Sequence, residues 1–463
     1  MPAIITKDFR VHNAKQFEES FGEAADTYYL AIGRHQAFAD NQAFNDGTDA
    51  SPPTPVDSVG SVEYYAYDDF LSAKKITSSD VSLVIPRRNW TTGTVYDYYR
   101  HDYGDINSAG SVISSDSGAT SLYDATFYVM NSTFDVYKVI DNNSGGASTV
   151  EPSGNKSTSV FSTGDSYKWK YMYSLSASEQ ANFLSTDFMH VSTESSDFST
   201  TGGAIEHVKI TAGGSGGTNG TYTDVDIRGD GSSGKATIVV ASNAVSSVTI
   251  TTAGSGYTYA SVKASDFGSV SGADIDFIIS PPGGHAADVV TELGGFFVMT
   301  NVDLTQADGS GDFSTGNDFR RIALLRNPTD STTGSTASAT TLDATKSITF
   351  SGTPGSFQAD EKITQATTGA VGFVVDFNST TKVLRYVQPQ FADQGVDSDG
   401  NLTAFASTHT VTGATSSATG TPSSHDTTPE LTHDTGDILY IENRKPISRA
   451  ADQTENVKLI VEF

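Results

Sequence analysis

The sequence predicts a mainly β chain: a β-sandwich-like host domain, discontinuous in sequence, carrying two small inserted β modules and a few short helices. Three observations lead there. The apolar fraction of 37% and the charged fraction of 18% fall below globular averages, while 43 glycines help fill the gap, which favours strands joined by turns. In the closing run Val457, Leu459, Val461 and Phe463 alternate with Asn456, Lys458, Ile460 and Glu462, the period-2 pattern of a sheet with one more apolar face. Two stretches of strand plus turn recur within the chain, marking duplicated β modules. With 463 residues the chain exceeds one ordinary core, and 25 Phe and 20 Tyr supply apolar bulk for pleated surfaces.

From the start, Asn13-Ala-Lys-Gln16 reads as a capping box, with Phe17 and Phe21 one helical turn apart before Gly22, so a short amphipathic helix is expected. Tyr28 to Ile32 reads as a buried strand, and Pro52-Pro53-Thr54-Pro55 as a rigid extended connection. A helical turn is expected around Asp68 to Lys75, then the strand Val81 to Ile85. Thr126 to Val129 and Val136 to Ile140 read as strands, Asn142 to Gly146 as a turn. Aromatics occupy every second position of Tyr167-Lys-Trp169-Lys-Tyr171-Met-Tyr173, a strand that buries one aromatic face or offers a sugar-stacking platform. Ser176-Ala-Ser-Glu179 caps a helix to Leu184.

Near Thr200 the composition changes. Val208-Lys-Ile-Thr-Ala-Gly-Gly-Ser-Gly216 returns forty positions later as Val248-Thr-Ile-Thr-Thr-Ala-Gly-Ser-Gly256. Ile363-Thr-Gln-Ala-Thr-Thr-Gly-Ala-Val-Gly372 returns after forty-eight as Val411-Thr-Gly-Ala-Thr-Ser-Ser-Ala-Thr-Gly420. The expected organisation is host domain over 1–200, inserted module 201–282, host again 283–330 with a strand at Ile322 to Leu325, second module 331–428, and host strands over 429–463. Those last strands are Ile438 to Glu442 and Val457 to Phe463, joined by a connection carrying Arg444, Lys445, Pro446 and Arg449.

The formal net charge of -27 argues against nucleic-acid or anionic-membrane partners. Cysteine is absent, which removes disulfides and thiolate zinc sites, and no segment approaches the ~20 apolar residues of a membrane span. The opening MPAIITKDFRVHN has no basic region followed by an apolar run, so no export signal is expected. Gly213-Gly-Ser215-Gly-Gly217 spells a nucleophile elbow, and Gly229-Asp-Gly231-Ser-Ser-Gly234 a dinucleotide fingerprint. Both lack the following helix those motifs require. Scattered histidines and the Asp393, Asp397, Asp399 group fail metal-site spacing, so neither enzyme activity, cofactor nor metal is expected.

Ile5 to Arg10, Ile32 to Arg34, Pro52 to Val59, Val84 to Trp90, Gly164 to Trp169, Phe319 to Ile322, Ile441 to Arg444 and Asp452 to Glu455 resemble, in this order, motifs of the gene product eight family of baseplate wedge proteins in T-even-like contractile phages. The resemblance spans roughly 1–200, 283–328 and 429–463; the duplicated modules lie outside it. It implies a non-enzymatic virion protein of the tail baseplate, assembled in the host cytoplasm. Its implied partners are a second copy of itself, as a homodimer, and gene products six, seven and ten. Locally concentrated basic charge in an acidic chain makes Arg34, Arg87, Arg88, Trp90, Arg320, Glu442, Asn443, Arg444 and Arg449 candidate interface anchors, or else members of internal ion pairs. The competing reading is a surface receptor- or glycan-binding β protein, suggested by the duplicated modules and the aromatic strand.

Overall fold

Antiparallel pairing organises this chain, as its Thr, Val and Tyr content demands. The computed structural model describes residues 6–38, 47–55, 66–107, 110–154, 156, 159–192, 201–305, 313, 315–388, 395, 397–398, 401–448, 450 and 454–463. Two compact units emerge, one made of Met1–Gln16, Ser82–Met299 and Ile460–Phe463, the other of Phe17–Val81 and Thr300–Leu459.

In the first unit a sheet orders Tyr128–Met130, Asp135–Asp141, Lys168–Ser174 and Phe161–Ser162. Its aromatic strand is buried on both faces, with Tyr167, Trp169, Tyr171 and Tyr173 all in the core. This corrects the platform reading: Tyr167 stacks on Trp169 at 5.4 Å, and Trp169 Nε1 donates to Thr163 Oγ1 at 3.1 Å, leaving no ring free for a sugar. The helix Ala177–Phe183 begins at the Ser176 and Glu179 capping box, as expected from the sequence.

Residues 205–279 enclose a core of their own. Ile205, Val225, Ile227, Ala236, Ile238, Val240, Val245, Phe267, Val270 and Phe277 are buried together. Gly220–Asp226, Lys235–Ala241 and Ala244–Thr252 make a meander, and Ile205–Ser215 pairs with Ser271–Ile279. The two copies of the duplicated stretch repeat their backbone as well as their letters. Gly214 and Gly216 sit at φ 69° and 73°, and their counterparts Gly254 and Gly256 at 65° and 74°. A Cβ at Gly254 would also meet Ser232 O at 2.5 Å, so this turn demands glycine for space and for conformation. The first catalytic-looking glycine string straddles the end of the strand Ile205–Ser215 and the second runs from the strand Arg228–Gly229 to the strand starting at Lys235, so neither opens a helix.

In the second unit a five-stranded sheet orders Thr341–Asp343, Phe70–Ile76, Tyr28–Gly33, Asp318–Arg326 and Asp437–Ser448. The helical turn expected at Asp68 to Lys75 is corrected here. Only Tyr67–Asp69 turns, as a single 3-10 turn, and Phe70–Ile76 is a strand because it is paired on both sides, by Tyr28–Gly33 and Thr341–Asp343. The expected connection at Arg444 to Pro446 is instead a bulge within a strand: pairing with Asp318–Arg326 breaks register after Asn443 and resumes at Ile447, and Pro446 is tolerated at this break on the sheet edge.

A seven-stranded sheet over residues 346–426 contains the second duplication. Lys362–Gln365 forms a hairpin with Ala370–Asn378, and its counterpart Val411–Gly413 forms one with Thr419–Gly420; the first strand of each copy pairs with that of the other. Gly369 turns at φ 80° and the equivalent Ser417 at 56°. Buried Glu361 ties the copies together by accepting from Thr415 N at 3.1 Å and Ser416 N at 2.9 Å.

The helix at the start runs Lys7–Ser20, so Asn13 lies in its interior and not at its cap. Thr6 Oγ1 accepts from Phe9 N at 3.3 Å and takes that role, while burial of Val11 and Ala14 carries the helix past Asn13. Phe17 and Phe21 meet edge-on at 5.0 Å, the turn-apart contact their spacing implies. At the other end of the chain Glu455–Glu462 is the outer strand of a sheet with Phe297–Leu304, Val81–Pro86 and Phe188–His190.

Candidate functional site

The anchor residues fall into separate groups. In the first unit, Arg87 Nη1 donates to Ser185 O at 2.8 Å, and Arg88 donates to the carbonyls of Ala125 and Tyr123 while covering the Tyr128 ring at 4.6 Å. Trp90 is half-buried, its Nε1 donating to Ser148 Oγ at 3.0 Å. In the second unit, Arg320 is buried and grips Asp49 with two bonds, Nε to Oδ1 at 2.8 Å and Nη2 to Oδ2 at 2.9 Å. That grip holds the Asp49 carboxyl below its ordinary pKa. Buried Arg34 lies 4.5 Å over the Phe38 ring and 3.9 Å from Asp69, in a left-handed backbone at φ 55°.

Along the sheet-edge strand Asp437–Ser448, Asn443 accepts from Arg321 Nε at 3.1 Å and donates to Pro53 O at 3.1 Å. Its neighbours differ: Arg444 is exposed, with Glu442 3.7 Å away on the same strand. Leu439 and Tyr440, 42% and 36% exposed, are two of the large apolar side chains this strand leaves open to solvent. Arg449 and Asp452 lie outside the described residues, as do Asp393 and Asp399.

Sequence reasoning missed the most buried charges. Lys138 and Lys170, in register on neighbouring strands, are both fully buried. The Lys138 ammonium donates to His285 Nδ1 and to Glu292, and lies 4.1 Å over the Tyr99 ring. Ala286 N donates to the other Glu292 oxygen at 2.7 Å. Burial, then the Lys138 and Lys170 charges, push the His285 pKa well down, so its imidazole is neutral and accepts. The sequence signal was present: a lysine in the middle of VYKVI and another inside KWKYMY has no reason to sit in an apolar strand unless paired. Arg100 was missed too, and it joins Asp102 at 2.6 Å to Asp276 at 2.6 Å. Among the described residues no group of three or more His, Asp or Glu is placed to hold a metal ion, and no helix is long and apolar enough to cross a membrane.

The arrangement is thus one of charges locking strands and loops, with an open, mixed-charge sheet edge. Comparison with known proteins agrees with the order of motifs in the sequence. Residues 3–145 match the profile of the family described as "Bacteriophage T4, Gp8". The chain is also similar to the baseplate wedge protein gp8 of Enterobacteria phage T4, 24% identical over 206 residues, which is 41% of this chain. The match covers 60% of that relative's length. By these two findings residues 3–145 are similar to the Gp8 family, and the chain, spanning 60% of that relative's length, is similar to the T4 baseplate wedge protein.

Proposed function

We propose that this protein is a structural subunit of a bacteriophage tail baseplate wedge, assembled in the host cytoplasm and acting through contacts with a second copy of itself and with neighbouring wedge subunits. The observation that carries the reading is the Gp8 family match over residues 3–145, with the similarity to a protein named as a baseplate wedge component beside it. Supporting it, the ionic networks at Arg320, Arg100 and Lys138 do the work of rigid scaffolding, which suits a part that must hold shape. The gene product six, seven and ten relatives are the proposed neighbours. In this reading 201–282 and 331–428 are insertions in a host domain made of 1–200, 283–330 and 429–463. Exposed Arg444 and half-buried Glu442 with Leu439 and Tyr440 form the proposed contact strip, since a mixed apolar and charged edge suits a specific partner.

The test is assembly. Purified full-length chain, mixed with the wedge subunits of its own phage, should co-migrate with them by native mass spectrometry. A chain that stays monomeric and outside every complex would sink the proposal.

A further inference from the structure

The first unit holds a cavity of about 760 Å³, inside the range of small-molecule sites. Its floor is the end of the second duplicated stretch. Gly256 N donates to Gly202 O and Tyr257 N to Gly203 O, each at 3.0 Å, which clamps two glycine turns face to face. The Tyr257 ring is fixed from its far end, where the hydroxyl donates to Ile227 O at 3.0 Å and accepts from Gly234 N at 3.1 Å. The first copy of the duplication does not border the cavity; its Tyr222 hydroxyl folds back onto Thr218 O at 2.9 Å. The end of the second copy thus lines the cavity and the first copy does not.

The walls have a definite chemistry. Tyr99, Tyr123, Leu122 and Ile279 present apolar and ring surface. Tyr123 is held in place by its hydroxyl, which donates to Thr291 O at 2.5 Å, and by the Lys7 ammonium 5.2 Å from its ring centre. The charges are matched: Asp8, Asp288 and the buried Glu292 border the space together with Lys7, and Glu292 is paired with Lys138. Asp288 is bonded to Lys15 at 3.1 Å and caps the helix Val289–Leu293. Burial lowers the pKa of His101, so that imidazole adds no positive charge at neutral pH. With its carboxylates matched by cations the site offers no excess positive charge to phosphate, sulfate or acidic sugars. It suits a ligand with flat C–H faces for the tyrosines and a rim of hydroxyl donors for carboxylate and carbonyl oxygens.

We propose that this cavity binds a short neutral saccharide, stacked against Tyr123 and donating hydroxyls to Asp8. The reading is independent of the assembly role, and the buried aromatic strand Lys168–Ser174 has no part in it.

Saturation-transfer NMR on the full chain tests it, with maltose, lactose, cellobiose and N,N′-diacetylchitobiose as probes and sialyllactose as the anionic control. At least one neutral disaccharide should receive transfer from the protein, and sialyllactose none. Asp8→Asn alters an exposed side chain at the cavity rim and leaves the fold intact; it should weaken that binding by about fivefold or more, the scale of one lost hydrogen bond to a charged acceptor. Pro282→Trp, at the exposed rim, should block it. Circular dichroism checks that both variants remain folded. No transfer to any neutral probe, equal binding by folded Asp8→Asn, or preference for sialyllactose would each overturn the proposal.

Discussion

At the scale of single residues, this protein is held by charges removed from water. Replacing Lys138 with Met strands the Glu292 carboxylate in the core and should lower unfolding free energy by about 3–5 kcal/mol in urea denaturation. The double change Lys138→Met with Glu292→Leu should recover part of that, because the stranded carboxylate is gone while Lys170 stays buried beside it. Acid should also destabilise the fold, for a different reason. Burial depresses the pKa of His35 to about 3 and of His207 to about 4, and lowers that of His285 well below the ordinary 6.5. The unfolded chain therefore takes up protons below pH 6.5 that the folded chain refuses, and stability is lost as pH falls from 6.5 toward 4. Asp360, raised by burial to about 6, works the opposite way: the folded chain holds its proton longer, giving stability at low pH that is lost as pH rises through 6. With His101 and His190 also lowered by burial, and Glu18 and Asp69 also raised by it, five histidines against three carboxyls leave a net fall in melting temperature between pH 7 and pH 4, which scanning calorimetry can read. Asp165 adds to it below pH 4. Burial raises its pKa, but bonds from Thr163, Val150 and Thr149 prevail and hold it at about 2, so its contribution exists above 3.8 and fades on further acidification.

At the scale of elements, the duplicated turns give paired experiments within one chain. Gly369→Ala should cost about 1–2 kcal/mol through its φ of 80° alone, since a Cβ there meets nothing within 4 Å. Ser417→Gly, at the equivalent turn, relieves that same strain and should be neutral or slightly stabilising once the added freedom of the unfolded glycine is subtracted. The final strand is a second test. Arg10 bonds the Phe463 carbonyl and Glu462, Phe463 N donates to Phe296 O at 3.0 Å, and Ile460 packs on Val84, Phe183 and Met299. Deleting 454–463 should abolish soluble expression; a soluble, folded truncation would contradict this. Much of the element order was legible because its cues are local: the short apolar runs at Tyr28 to Ile32 and Val81 to Ile85, the Ser176 box, and the repeated glycines. What misled were segments governed by distant partners. Phe70–Ile76 carries two lysines and looked helical, yet pairing on both sides makes it a strand, and Pro446 looked like a connection but lies at a bulge on an open edge. The cavity could not be read in advance, since Asp8, Tyr123, Tyr257 and Asp288 are brought together only by the fold.

At the scale of the whole molecule, motif order and family match point the same way, and the proposed function rests on surfaces the chain would share with partners. Ion pairs hold Arg34 and Arg320, and backbone carbonyls hold Arg88, within the chain, which leaves the edge strand Asp437–Ser448 as the proposed meeting surface. A cryo-EM map of the intact tail baseplate is the most direct measurement of the central claim. The account predicts density for this chain inside each wedge, with Leu439, Tyr440, Glu442 and Arg444 against a protein neighbour. Baseplates complete without the chain, or density for it elsewhere in the particle, would contradict it.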